Sequence, residues 1–141
     1  MAKKKRKKPT LKSQKANPNS KYWKKKADEQ WALQIKTVGA CEVNSSHVGR
    51  LNAHHIISRT RLRYRHDLSN GVCLCTQCHS FNADISPHQD SYGAERFLAW
   101  LKKDRPGQFQ WYEEHKHDKR QPEKTYQQCY EELTPQQEIK T

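Results

Sequence analysis

The sequence predicts an α+β fold in which two strands and a short helix make a small core, with one helix before it and further helices after it. Three observations predict this. Apolar residues recur at helical spacing on both sides of the middle of the chain, short alternating segments fill the middle, and a Cys-x2-Cys pair, Cys75 and Cys78, follows the second of them. With 141 residues, 33% hydrophobic and 30% charged, the chain has room for one domain with tails and a modest core.

The elements follow in order. Residues 1–19, mostly Lys, Ser, Gln, Asn and Pro, offer little to bury and are expected to form a disordered basic arm. Its run Lys3-Lys4-Lys5-Arg6-Lys7-Lys8 suits condensation on phosphates and also has the form of a nuclear import signal. An N-terminal helix is expected within 20–38. Ser20 is a favourable N-cap, Trp23, Ala27, Trp31 and Ile35 form one apolar stripe, and Gly39 ends the helix. At this spacing the tryptophans read as core rather than as platforms for bases.

The central unit is expected over 39–91. Asn52 to Ile57 reads as a strand with Ala53, His55 and Ile57 on one face and Asn52, His54 and Ile56 on the other. Gly71 to Cys75 suits a second strand, pairing with the first across a long polar loop that holds Arg59, Arg61, Arg63 and Arg65. Thr76 to Phe81 reads as the start of a helix, and Asp84 to Asp90, with Pro87, as a loop. A C-terminal helical extension is expected over 92–141. Its clearest helix runs from Tyr92 to Lys103, with Ala94, Phe97, Leu98 and Leu101 on one face. Arg105-Pro106-Gly107 breaks it, and shorter helices are expected near Gln108–His115 and Pro122–Leu133.

Charge is distributed unevenly. The formal net charge is +12; residues 1–26 hold 12 Lys/Arg and no acid, so the remainder is balanced. Within that remainder, residues 43–83 carry five arginines against the single acid Asp67. Two basic regions on a neutral body point to a polyanion partner. No run of about 18 apolar residues suggests a membrane span, and no apolar stretch follows the N-terminal charges as in a secretory signal, so a cytoplasmic, non-secreted protein is expected. With no export signal, five cysteines argue for metal binding rather than a disulfide framework.

Cys75 and Cys78 have the spacing of a metal knuckle, with Cys41 the upstream partner and His47 the nearest residue to supply a fourth ligand. His54 and His55 are neighbours on a strand, so one can bind an ion while the other accepts a proton. His79, directly after Cys78, is placed by the knuckle to face the hairpin. Phosphodiester hydrolysis needs a base, a cation against the phosphoryl charge and a group that holds the base. His55, a divalent cation on His54 and His79, and Asn70 suit these roles. Arg59, close after the histidines, is the preferred contact to substrate phosphate, with Arg61, Arg63 and Arg65 beside it. His66, His115 and His117 read as surface residues, Cys73 as buried structure and Cys129 as an incidental core thiol.

The order His54-His55, Asn70, Cys75-x2-Cys78-His79 resembles that of the HNH nucleases, over roughly Cys41 to Ala83. The resemblance implies a ββα-metal core, with His55 as general base, His54 and His79 as metal ligands, Asn70 as a positioning residue, and Cys41, Cys75 and Cys78 in a zinc knuckle. It implies a catalytic divalent cation (Mg2+, Mn2+, Ni2+ or Zn2+), a structural Zn2+, and cleavage of duplex or branched DNA to a 5′-phosphate and a 3′-hydroxyl. Asn44 stands where the family usually has a cysteine, leaving His47 to complete the knuckle. Ala83 stands where some members carry a third metal-binding histidine, and His88, beyond Pro87, is not taken as its replacement. The flanks, including Lys21-Tyr22-Trp23-Lys24-Lys25-Lys26-Ala27, are similar to phage recombination proteins of the NinG type, which implies a role in DNA recombination or processing in a bacterial host cytoplasm. The alternative is a non-catalytic zinc-knuckle protein that binds DNA or RNA, with the histidines serving structure alone.

Overall fold

A computed structural model describes residues 2–47, 49–81, 85–88 and 92–135. Among these, five α-helices surround a two-stranded antiparallel hairpin: α1 (Leu11–Ala16), α2 (Lys21–Lys36), β1 (Leu51–His55), β2 (Gly71–Cys75), α3 (Gly93–Asp104), α4 (Pro106–His115) and α5 (Tyr126–Leu133). The hairpin register runs from Leu51 opposite Cys75 to His55 opposite Gly71. A 3-10 turn, Leu68–Asn70, leads into β2, and a single π-helical segment, Gln77–Phe81, follows it. Ala83 lies outside the described residues.

The expectation of a wholly disordered arm is corrected by α1. Thr10 caps it by accepting a hydrogen bond from the Ser13 amide at 3.1 Å. Helix α2 in turn ties α1 down: the Trp23 indole donates to the Lys15 carbonyl at 3.0 Å. Ser20 stands at the N-cap of α2, but its hydroxyl donates back to Gln14 O at 2.6 Å instead of capping. Gly39, at φ +75°, brings its amide to Lys36 O at 3.0 Å and turns the chain away from the helix.

Helix α2 lies between the hairpin and α5. Toward the hairpin it buries Ala27 and Trp31, and Gly71 allows the close approach: a β-carbon there would collide with Ile35 and stand 2.9 Å from the Trp31 ring. Toward α5, the Gln34 amide donates to Leu133 O at 3.0 Å, and the Gln127 amide donates to Pro18 O at 3.0 Å. Thr125 and Gln128 form a capping box that starts α5. On the far side of the hairpin, Val72, Leu74, Cys75 and Cys78 pack with Cys41, Phe97, Trp100 and Leu101. No helix among the described residues is long and apolar enough to cross a membrane.

Candidate active site

Two clusters of potential ligands flank the hairpin end that leads into the π segment. In the first, Cys41, His47, Cys75 and Cys78 bring one donor atom each to within 4.8 Å of one another. His47 Nδ1 lies 3.6 Å from Cys75 Sγ and 3.3 Å from Cys78 Sγ. Glu42 anchors the upstream segment, since its amide donates to Cys73 O at 2.9 Å and its carboxylate accepts from the Cys73 amide at 2.6 Å. Burial opposes ionisation of Cys41, yet backbone N–H donors of Cys75, Asn44 and Val43 bring its thiol down to about 7. Burial and the neighbouring sulfurs push Cys78 up to about 12. Three thiols cannot ionise together in so small a space without a cation, so the donor set fits a tetrahedral zinc ion.

In the second cluster, His54 of β1, His79 of the π segment and His88 of the following loop place one nitrogen each within 4.8 Å of the others. Sequence reasoning set His88 aside, and the structure brings it in. The loop is anchored by the buried Ser86, whose hydroxyl donates to His79 O at 2.7 Å and accepts from the His88 amide at 3.3 Å. Gly93 leaves space for it, because a β-carbon there would stand 2.6 Å from the carbonyls of Ser86 and Pro87. No spacing rule marks such a histidine, because its approach depends on how the loop packs against the start of α3. Phe97 of α3 packs edge-on against His54, with ring centroids 4.9 Å apart.

Burial, reinforced by His79 and His88, lowers His54 to about 3, and burial followed by His88 lowers His79. Both rings are therefore neutral at pH 7, the state that binds a metal. Each ring is harder to protonate in the folded chain, so the unfolded chain takes up more protons on acidification. With no ion on the histidine cluster, the stability of the protein is expected to be full above about pH 6.5 and to fall with pH below it. The urea midpoint should drop between about pH 7 and about pH 5. An unchanged midpoint would contradict the neutral cluster.

His55 points away from its neighbour, as strand alternation requires. Its Nε2 donates to the Arg65 carbonyl at 2.9 Å, so in the neutral ring Nδ1 holds the free lone pair. Burial lowers His55, and the Arg65 carbonyl partly offsets this. Asn70 is fully buried and fastens both ends of the loop. Its Oδ1 accepts from the Ile57 amide at 2.6 Å, and its Nδ2 donates to Ile57 O and Tyr64 O, each at 3.0 Å. Its side chain thus replaces the backbone pairing that would have continued β1.

His54, His55, His79, His88 and Arg59 line one cleft of about 640 Å³. Arg59 is exposed and makes no side-chain hydrogen bond or ion pair among the described residues. The other loop arginines, expected beside Arg59 against substrate, have partners within the chain. Arg61 donates to Asp118 O at 3.1 Å, Arg63 pairs with Glu123 at 2.6 Å, and Arg65 grips Asp28 through two bonds of 2.7 and 2.8 Å. Their guanidinium groups tie the loop to the helices and to the 118–123 segment. His66 is also corrected from surface to buried, its Nε2 2.7 Å from Asp28 Oδ1. His115 is half-buried and donates to Trp111 O at 2.6 Å; His117 is exposed. Cys73 is buried, and Cys129 is partly buried on α5. Lys3 to Lys8 are exposed.

No curated protein and no solved structure gives a significant match to the chain. The family model described as HNH endonuclease matches residues 40–83. That stretch contains the hairpin, the arginine loop, the four-ligand cluster and all of the histidine site except His88, and over it the chain is similar to the HNH endonuclease family.

Proposed function

We propose that the chain is a metal-dependent DNA endonuclease that hydrolyses phosphodiester bonds with a single catalytic cation. The observation that carries this reading is the juxtaposition in one cleft of three convergent imidazoles with a fourth, His55, whose Nδ1 is free to take a proton. His54, His79 and His88 would hold the ion, which when bound supplies positive charge against the phosphoryl oxygens and the leaving 3′ oxygen. His55 accepts the proton of the attacking water, and Asn70 holds the loop from which the Arg65 carbonyl orients it. Arg59 contacts a phosphate beside the scissile bond, while Lys3 to Lys8 contribute affinity that weakens with salt. Cys41, His47, Cys75 and Cys78 hold a structural zinc. The products are a 5′-phosphate and a 3′-hydroxyl, and the NinG-like flanks suggest a phage protein acting in DNA recombination or processing.

The test is nicking of supercoiled plasmid by the full chain with Mg2+, Mn2+, Ni2+ or Zn2+, set against EDTA, followed by linear, nicked, flapped and four-way DNA. Cation-dependent nicking abolished by EDTA is expected. DNA binding without nicking in any of these ions would overturn the enzymatic reading in favour of a binding protein, and tight RNA binding without nicking would make RNA the ligand.

A further inference from the structure

Two residues of α2, outside the stretch that matches the family, converge on His55. Trp31, 3% exposed, stacks on the imidazole with ring centroids 3.9 Å apart and planes 6° from parallel. Its indole Nε1 donates to Asp67 O at 2.8 Å. One turn earlier on the same face, Asp28 accepts from Arg65 Nε at 2.7 Å and Arg65 Nη2 at 2.8 Å. Oδ1 of Asp28 also lies 2.7 Å from His66 Nε2. Residues 65–67 are thus held at both ends by α2, and the carbonyl in this stretch that orients His55 belongs to Arg65. Arg65 reaches back as well, donating from Nη1 to Arg59 O at 3.1 Å.

We propose that Asp28 and Trp31 are positioning residues for His55: Trp31 sets the plane of the ring, and Asp28, through Arg65, sets the carbonyl that holds its edge. The inference rests on His55 being the proton acceptor. The acid in question is the first in the chain, just after the basic residues 1–26 and beside Glu29. An exposed Asp28 would only have moderated the charge of the arm. Instead its carboxylate is spent on the loop, and burial is overcome by Arg65 and His66 to hold it well below the usual carboxylate range. Rotating the ring or shifting the Arg65 carbonyl would move Nδ1 relative to the cation site.

The experiment measures steady-state cleavage by full-length Asp28→Asn, Trp31→Leu and Trp31→Phe, alone and combined with His55→Ala. Asp28→Asn and Trp31→Leu are expected to lower kcat about 10- to 100-fold with KM within about twofold. Trp31→Phe, which keeps an aromatic face, should recover most of the loss. In the His55→Ala background the same substitutions should cost nothing further, whereas mere loss of structure would still add. Where Trp31→Leu fails to fold, Asp28→Asn decides the matter by the same cycle, with wild-type kcat or full additivity overturning the inference. Wild-type kcat in Asp28→Asn and Trp31→Leu, or full additivity with His55→Ala, would overturn the inference while leaving His55 as the base. Wild-type cleavage by His55→Ala would instead remove the reading on which it rests.

Discussion

His55→Ala is expected to lower the rate of DNA cleavage about a thousandfold, within the range contributed by a positioned base, and to leave DNA affinity within about threefold. The separation of the two effects follows from the geometry. His55 touches the Trp31 face and the Arg65 carbonyl, and with Nε2 engaged it presents one lone pair to the cleft. It is neutral at pH 7, because burial lowers it below the ordinary imidazole value, and so it gives no charge to a phosphate. In the proposed reading, affinity comes from the exposed lysines of the arm and from Arg59, all left in place. Competition binding to labelled duplex, run beside plasmid nicking with the same preparations, checks both halves. A parallel loss of binding and cleavage would contradict the base role.

Cys78→Ser is expected to abolish zinc binding and the cooperative unfolding transition together. Cys78 is at once a candidate ligand and a fully buried core residue packed with Leu74 and Leu101. The cluster joins the segment before β1, through Cys41 and His47, to the end of β2 and the start of the π segment. Zinc binding at such sites is worth about 10–16 kcal/mol in small peptides near pH 7, comparable to the whole stability of an ordinary domain, about 5–15 kcal/mol. Because His79 follows Cys78 directly, loss of the knuckle also releases a proposed ligand of the histidine cluster. Zinc content by elemental analysis and thermal unfolding check the result. A variant that keeps one zinc per chain and a sharp transition would show that Cys78 is dispensable.

Much of this was legible in the sequence because it depended on local rules. Helical stripes marked α2 and α3, alternation marked β1 and β2, and the Cys-x2-Cys spacing with Cys41 and His47 marked a cluster that the fold does assemble. Asn70 and His55 were legible as a pair because a loop must be closed by some polar group and a free imidazole must be steadied. Other features depended on long-range approach. Arg61, Arg63 and Arg65 read as a phosphate-binding row, since nothing in their neighbourhood shows that Asp28, Asp118 and Glu123 will meet them. His66 looked like surface for the same reason. His88 was hidden because its place depends on Ser86 hydrogen bonding and on the missing side chain of Gly93. Helix α1 was hidden by composition: its stability comes from docking on α2, which propensity does not register.

The sandwiching of α2 between the hairpin and α5 bears on biosynthesis. The contacts that join residue 34 to residue 133 and residue 18 to residue 127 span about a hundred positions, and they form only when α5 has been translated. Until then the helix carrying the ring against His55 is covered on one side only. A nascent chain stalled before α5 holds both donor clusters and His55, yet lacks the outer brace, so α2 is fixed on both sides only once residue 133 has emerged.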